Sequence, residues 1–344
     1  MNITPYLDDI ESRINPDQER RLQEAWFQFA DGKTTGGPFT PPVRNPVPSR
    51  LTWNHVYVND ALEDDDLMIL SQLERCHQLL STPSDILMSM RPNYGVGTLA
   101  SLFGVPPFLM AHEQDCLPNG RSLEGGRDAI QALLDQPLPA LTSGYGGDVL
   151  RVAERMADIR RRYPNIRKYI FCDAPDCQSS MDTCELIWGS ELFYALYDTP
   201  ELVHALLDRI TQVYKAFMGQ WFSIVPKEIP YHIYFGRVVR GSIFLRDDSA
   251  MNLSPEFYEE FVFPYDSELL LHFGGGGIHF CGRGDHFIQK MAATPNLTGI
   301  DISQPHLNDM EIILSSTIDK GIVLYCAKDD YMKKPHSYSH LRLI

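Results

Sequence analysis

The sequence is short of positive charge. Its 30 lysine and arginine residues stand against 45 aspartate and glutamate residues, which gives a formal net charge of −15. Because such a chain has no broad basic surface, non-specific binding to nucleic acid or to anionic membranes is not expected. An anionic ligand must therefore be held by a few local arginines rather than by the overall field of the protein.

Long apolar runs and an even set of cysteines are also lacking. No apolar run approaches the roughly 20 residues that span a bilayer, and the polar start Met-Asn-Ile-Thr-Pro lacks the pattern of a signal peptide. The seven cysteines are odd in number and scattered, unlike a secreted disulfide framework. We therefore expect a soluble, cytoplasmic protein with reduced thiols, some of which are candidates for metal binding.

The chain has 344 residues and 44% hydrophobic content, enough for a large core. The spacing of its apolar residues changes near residue 86. Before that point, helical spacing at 17–26 and 63–80 indicates an N-terminal helical extension over residues 1–85. After it, short apolar runs alternate with amphipathic stretches, which is typical of a parallel sheet with crossover helices. The predicted strands are 86–90, 168–174, 242–247, 277–282, 298–303 and 322–326. The predicted helices are 147–163, 185–197, 200–222, 255–273 and 309–320.

Polar side chains gather where the predicted strands end. In parallel α/β folds this edge of the sheet builds the active site, although ordinary loops and caps begin there too. We expect catalytic roles for Asp247, Asp173 and Arg91. Substrate contacts are expected from Asn93, Arg246, Asp248, Arg283, Asp301 and Gln304. The last predicted strand is followed by Lys328, Asp329 and Asp330.

His279 and Cys281 stand two apart in the stretch Gly-Gly-Gly-Gly-Ile-His-Phe-Cys-Gly, residues 274–282. Side chains two apart on a strand share a face, so this imidazole and thiol form half of a zinc site. The structural alternative is a core histidine beside a small buried cysteine. Asp247 and Asp248 follow the preceding strand and supply either a carboxylate ligand or general base, or simply a loop cap.

Several segments occur in an order that carries a family resemblance. They are residues 247–265, Ile-His-Phe-Cys-Gly at 278–282, Gly-Ile-Asp-Ile at 299–302, Cys-Asp-Ala-Pro at 172–175, residues 196–203, Arg-Pro-Asn-Tyr-Gly at 91–95 and Phe-Gly at 103–104. In this order they resemble the uroporphyrinogen decarboxylase superfamily over roughly residues 86–330. The resemblance implies an α/β fold of the (β/α)8 TIM-barrel type over residues 86–344, with a pocket at its carboxyl face.

That superfamily contains two chemistries. True uroporphyrinogen decarboxylases use no cofactor, and an arginine-rich loop near their N-terminus grips the substrate carboxylates. The corresponding segment here, residues 50–57, does not carry such a loop. Decarboxylation without a cofactor is therefore the alternative hypothesis rather than the first.

The other branch comprises zinc-dependent methyltransferases that work with methylated corrinoid proteins, and its signature is His-x-Cys followed much later by another Cys. His279 and Cys281 match the first half, and Cys326 is the only later cysteine. The resemblance implies zinc held by these three residues and a corrinoid carried by a partner protein. It further implies methyl transfer from a methylated corrinoid or a methoxylated compound to a thiol or corrinoid acceptor.

Cys326 lies nearer to Cys281 than the methyltransferase pattern expects. It ends what reads as the penultimate barrel strand, and the remaining residues, 331–344, are too few for a helix and a strand. The sequence therefore predicts an incomplete or unusual last strand, and a small core residue is the other interpretation of Cys326. A third hypothesis is a barrel without catalysis that binds a small molecule or a partner protein. Dimers are common in such barrels, and the sequence identifies no interface.

Overall fold

The computed structural model describes residues 1–326 and 339–343. Lys328, Asp329 and Asp330, named above among the strand-end residues, lie outside this part of the chain. None of the helices described is both long and apolar enough to cross a membrane.

Helices make up the N-terminal region and alternate with strands from residue 88 onward. They are α1 (Thr4–Arg13), α2 (Pro16–Ala30), α3 (Val58–Glu63), α4 (Asp65–Ser81), α5 (Thr98–Leu102), α6 (Gly126–Leu134), α7 (Gly146–Arg162), α8 (Pro164–Tyr169), α9 (Ser180–Trp188), α10 (Leu192–Asp198), α11 (Pro200–Ile224), α12 (Pro255–Phe261), α13 (Phe263–His272), α14 (Ile288–Met291) and α15 (Met310–Thr317). Side-chain caps fix several of their starts: Ser254 accepts a hydrogen bond from the Phe257 N–H, and Asp64 accepts from the first turn of α4. The helix starts predicted at these two places are thereby confirmed.

The strands are short and mostly parallel. They are β1 (Met88–Met90), β2 (Pro107–Phe108), β3 (Asn119–Gly120), β4 (Ile170–Cys172), β5 (Tyr231–Tyr234), β6 (Arg237–Arg240), β7 (Ile243–Arg246), β8 (Gly276–Phe280), β9 (Leu297–Ile302), β10 (Val323–Cys326) and β11 (Leu341–Leu343). One parallel sheet has the order β11-β10-β9-β8-β7, and β1 pairs with β4 in parallel. Two antiparallel pairs, β2 with β3 and β5 with β6, complete the set described.

The parallel α/β organisation predicted from the sequence is confirmed, and each of the six predicted strands is present. The prediction that residues 331–344 are too few for a helix and a strand is wrong as regards the strand. β11 pairs in parallel with β10, with Leu324 opposite Leu341 and Cys326 opposite Leu343. Three residues are enough, because one buried leucine at position 341 anchors the strand. The strand pairing described does not close a barrel.

The five-stranded sheet has two chemically different faces. In register across β7 to β10, Arg246, His279, Asp301 and Tyr325 form one row on what we call the inner face. The neighbouring residues Leu245, Ile278, Ile300 and Leu324 form the row on the outer face, where they join the main hydrophobic core with the helices. Since side chains alternate along a strand, each row belongs wholly to one face.

The inner face is covered by the β5–β6 hairpin and by α2. Val238, Val239, Trp26 and Tyr325 belong to one core cluster, and the Tyr325 hydroxyl donates to the Val238 carbonyl over 2.6 Å. Gly299 lies on the inner face, where an added Cβ would collide with Val239. The N-terminal helices therefore share a core with the strands of the sheet.

Candidate metal centre

Three donor side chains meet at the carboxyl edge of β7 and β8. Asp248 follows β7 in a short 3₁₀ turn, Asp248–Asn252, while His279 lies on β8 and Cys281 follows it. The His279 Nε2 atom lies 3.3 Å from Cys281 Sγ and 3.4 Å from Asp248 Oδ1. All three donor atoms lie within 4.8 Å of one another. The Cys281 N–H also donates to Asp248 Oδ1 over 2.9 Å, which fixes the turn against the strand end.

Asp301 on β9 orients the imidazole from its other side. Its Oδ2 atom lies 2.8 Å from His279 Nδ1, and the Arg237 Nε atom lies 3.1 Å from its Oδ1. A histidine that binds a metal through one nitrogen usually gives the other N–H to a carboxylate, which sets the tautomer and raises ligand basicity. Asp301 is only 1% exposed, so its position is fixed by packing.

The charge of this group favours a cation. Burial alone would lower the pKa of His279, but the hydrogen bonds to Asp301 and Cys281 and the carboxylates of Asp301 and Asp248 raise it to about 10. The imidazolium proton thus occupies the place in which a divalent cation would neutralise the same carboxylates.

The donor set fits zinc. A neutral imidazole, a thiolate and a carboxylate are ligands that zinc accepts, and three protein ligands leave a fourth tetrahedral position for a substrate. The Asp248 side chain is 43% exposed and that of His279 is 11% exposed, so the group is open on the Asp248 side. This arrangement is typical of a catalytic site rather than of a closed structural one.

Asp182 on α9 holds the turn that carries Asp248. Its carboxylate accepts the backbone N–H of Asp248 over 2.8 Å and that of Ser249 over 2.9 Å, and it also accepts the Ser249 hydroxyl. Burial, and next the neighbouring Asp247, raise the pKa of Asp182 well above its ordinary value. Sequence reasoning missed this residue, because it lies on a helix and in no strand-end pattern. Gln304, which was predicted, accepts the Gly282 N–H over 2.6 Å.

Cys326, predicted as the third metal ligand, does not belong to this group. It is in register with Ile302 and lies one residue beyond the inner-face row, so it faces the outer side of the sheet. There it is fully buried in the main core cluster. The alternation of side chains along β10 is the reason, and Asp248 supplies the third donor instead.

Four predicted residues lie together in a second, buried group beside the metal centre. Arg91 donates to Asn93 over 2.9 Å, and both Arg91 and Arg246 form ion pairs with Asp176. Arg246 is the register neighbour of His279, which joins this group to the metal centre.

Asp173, the fourth of these residues, lies 3.4 Å from His232. Burial, countered in part by Arg91 and Arg246, raises the pKa of Asp173 to about 7. Sequence reasoning missed Asp176, and the alternation of side chains along residues 229–235 leaves open whether His232 faces the pocket or solvent.

The last two predicted residues belong to neither group, although Asp247 directly precedes Asp248 and its backbone N–H donates to the His279 carbonyl over 2.9 Å. Asp247 is fully buried, and burial raises its pKa to about 6 although Asp266 and Ser179 act in the opposite direction. It is not one of the three donors. Arg283 pairs with Asp285 over 2.8 Å, and its side chain is 65% exposed, so it lies on the surface beyond Cys281.

Fold and site together define an α/β protein with a candidate metal centre at the carboxyl edge of its parallel sheet. No protein-family model matches the chain, and no curated protein matches it either.

Proposed function

We propose that this protein is a zinc-dependent methyltransferase of the uroporphyrinogen decarboxylase superfamily. The methyl group would pass from a methylated corrinoid on a partner protein, or from a methoxylated compound, to a thiol or corrinoid acceptor. The observation that carries the proposal is the convergence of Asp248, His279 and Cys281 within 4.8 Å, with one side open.

A zinc ion held by these residues would lower the pKa of an acceptor thiol, so that a nucleophilic thiolate exists at neutral pH. His279 contributes Nε2 because Asp301 holds its Nδ1. Cys281, at the first position beyond β8, would bind the zinc through its sulfur. Asp248 would bind it through a carboxylate oxygen, from a turn whose backbone is hydrogen-bonded to Asp182. Because the Asp248 side chain is 43% exposed and that of His279 only 11%, the acceptor would enter from the Asp248 side.

A decarboxylase-like reaction without a cofactor is the second candidate, and one observation favours it. The Nη1 atom of Arg91 is buried and has no hydrogen-bond partner among the described residues. An orphan donor of this kind is satisfied by a ligand carboxylate. Its neighbour Asp173, with a pKa of about 7, would hold or release a proton near neutral pH.

The test is methyl transfer from methylcobalamin to a simple thiol, followed by the absorbance of the corrinoid and by mass spectrometry of the thioether. We expect turnover by the zinc-loaded protein, loss of turnover in Cys281→Ser, and full turnover in Cys116→Ser, whose cysteine is exposed and lies outside the centre. Full activity of Cys281→Ser contradicts the proposal. Carbon dioxide release from a porphyrinogen, without thioether, favours the second candidate.

A further inference from the structure

A cavity of about 340 Å³ lies at the end of the molecule opposite the metal centre. It is bounded by α2, the end of α7, α8, the end of α11 and β5. Ser242, on its wall, precedes β7, whereas Asp248 follows the carboxyl end of the same strand. At about 3.3 Å per residue, these two positions are roughly 20 Å apart along the strand. The cavity is therefore separate from the candidate metal centre.

The walls of this cavity are basic although the protein is acidic. Arg160, Arg167, Lys168 and Lys227 contribute four cations, and Glu228 is the one carboxylate among its described lining residues. We call it the basic cavity. Its local excess is three positive charges, four cations less one anion, within a chain of net charge −15. A local concentration of cations of this kind attracts and orients anions.

The cations are incompletely neutralised. Arg160 and Arg167 share Glu228, at 3.0 and 2.9 Å, and Arg160 Nε is buried with no hydrogen-bond partner among the described residues. The Lys227 ammonium donates to the Gly241 carbonyl and to the Ser242 hydroxyl, neither of which carries charge. Burial lowers the pKa of Lys227, so an anion beside it would offset the cost of keeping it charged.

The remaining walls are aromatic. Phe27 and Tyr231 stack with ring centroids 4.2 Å apart and planes 3° apart, and Phe171, Trp221 and Phe222 line the same space. Flat apolar walls with a few fixed polar groups are typical of small-molecule sites, which measure about 300 to 1,000 Å³. An adjoining cavity of about 260 Å³ shares Arg160, Arg167 and Glu228 and adds Arg161.

We propose that the basic cavity binds a small organic anion with a flat apolar body, of the aromatic carboxylate class. The aromatic walls receive the ring, and Lys227 and the free Nε of Arg160 receive the carboxylate. The site is independent of the methyltransferase proposal, since none of Asp248, His279 and Cys281 lines the cavity.

The test is calorimetric titration of the full chain with 2-naphthoate and with its neutral counterpart, 2-naphthalenemethanol. We expect 2-naphthoate to bind with a dissociation constant of roughly 1 mM or lower and the alcohol to bind about tenfold more weakly, because a charge-assisted hydrogen bond is lost. This comparison uses the unaltered protein, so it does not depend on the folding of any variant.

Three further titrations, each with a single variant, locate the site. Lys227→Met should weaken 2-naphthoate binding about tenfold, while Lys320→Met, at an exposed lysine outside the cavity, should leave it unchanged. Binding should persist in Cys281→Ser. Equal affinity for the acid and the alcohol, no effect of Lys227→Met, or loss of binding in Cys281→Ser would each overturn the proposal, the last by assigning the carboxylate to the metal centre.

Discussion

The two faces of the parallel sheet differ most at its carboxyl edge. On the inner face, Arg246, His279 and Asp301 form a polar row that continues into Cys281. On the outer face, one residue further along the strands, Phe280, Ile302 and Cys326 are buried in the hydrophobic core. Cys281 and Cys326, two cysteines near one edge of the sheet, therefore differ in chemistry because strand alternation places them on different faces.

The largest expected effects are a loss of stability from a substitution on the outer face and a loss of metal binding from a substitution on the inner face. Phe280→Ala removes a fully buried ring from the outer face and should lower the free energy of unfolding by about 3 to 5 kcal/mol, while the folded protein keeps its zinc. His279→Ala, its inner-face neighbour, should abolish zinc binding. Urea unfolding and zinc analysis of the folded fraction measure both quantities. If the two variants gave the same pattern, the division between the faces would be incorrect.

A second prediction concerns Asp301, which orients His279 from the inner face. Asp301→Asn keeps the shape of the side chain but removes the charge, so zinc affinity should fall about 10- to 100-fold in a competition with a chelating dye. Ile302→Val, the next residue on the outer face, is the matched control and should leave zinc affinity unchanged. An effect of Asp301→Asn no larger than that of Ile302→Val would show that the contact does not support the site.

The smallest effect concerns pH and involves two buried ionisable residues, His232 on β5 and Asp173 after β4. Burial lowers the pKa of His232 to about 3 and raises that of Asp173 to about 7. Between about pH 4 and pH 6.5, this pair of side chains holds one proton in the folded protein, and that proton is on Asp173. In the same range the unfolded chain also holds one, on His232. The two contributions therefore cancel in the wild type.

Replacing His232 with glutamine removes this cancellation. The folded variant then binds a proton on Asp173 that its unfolded chain does not, so its stability relative to wild type should rise as pH falls from about 6.5 to 4. The expected slope is about 1 kcal/mol per pH unit. Urea unfolding across this range measures it, and Met90→Leu, in the main hydrophobic core, should parallel the wild type. A His232→Gln profile that also parallels the wild type would contradict the cancellation.

Much of the fold follows from local sequence pattern. The six main strands are apolar runs, and Ser254-Pro255 has the side chains that a helix start needs. β11 was missed because three residues provide too little periodicity to read, and its pairing with β10 is a long-range event. The β5–β6 hairpin, which turns at Phe235 and Gly236, was missed as well. Its strands cover the inner face of the sheet, and no local pattern shows that contact.

Only part of the candidate site could be predicted from the sequence. His279 and Cys281 were found because their spacing of two fixes a common face on any strand. The third donor depends on the register between strands and on the path of the loop after β7, neither of which is encoded in a local pattern. The family resemblance favours Cys326 as the third ligand, and the sequence offers Asp248 only as one of two alternative carboxylates. Asp182, which holds the loop from a distant helix, carries no signal in the sequence.

Zinc content is the most direct test of the central claim. We would measure it by elemental analysis in the wild type, Cys281→Ser and Cys326→Ser after the same zinc loading and dialysis, with circular dichroism to verify folding. We expect about one zinc per chain in the wild type and in Cys326→Ser and almost none in Cys281→Ser. A folded wild type without zinc, or loss of zinc in Cys326→Ser, would contradict it.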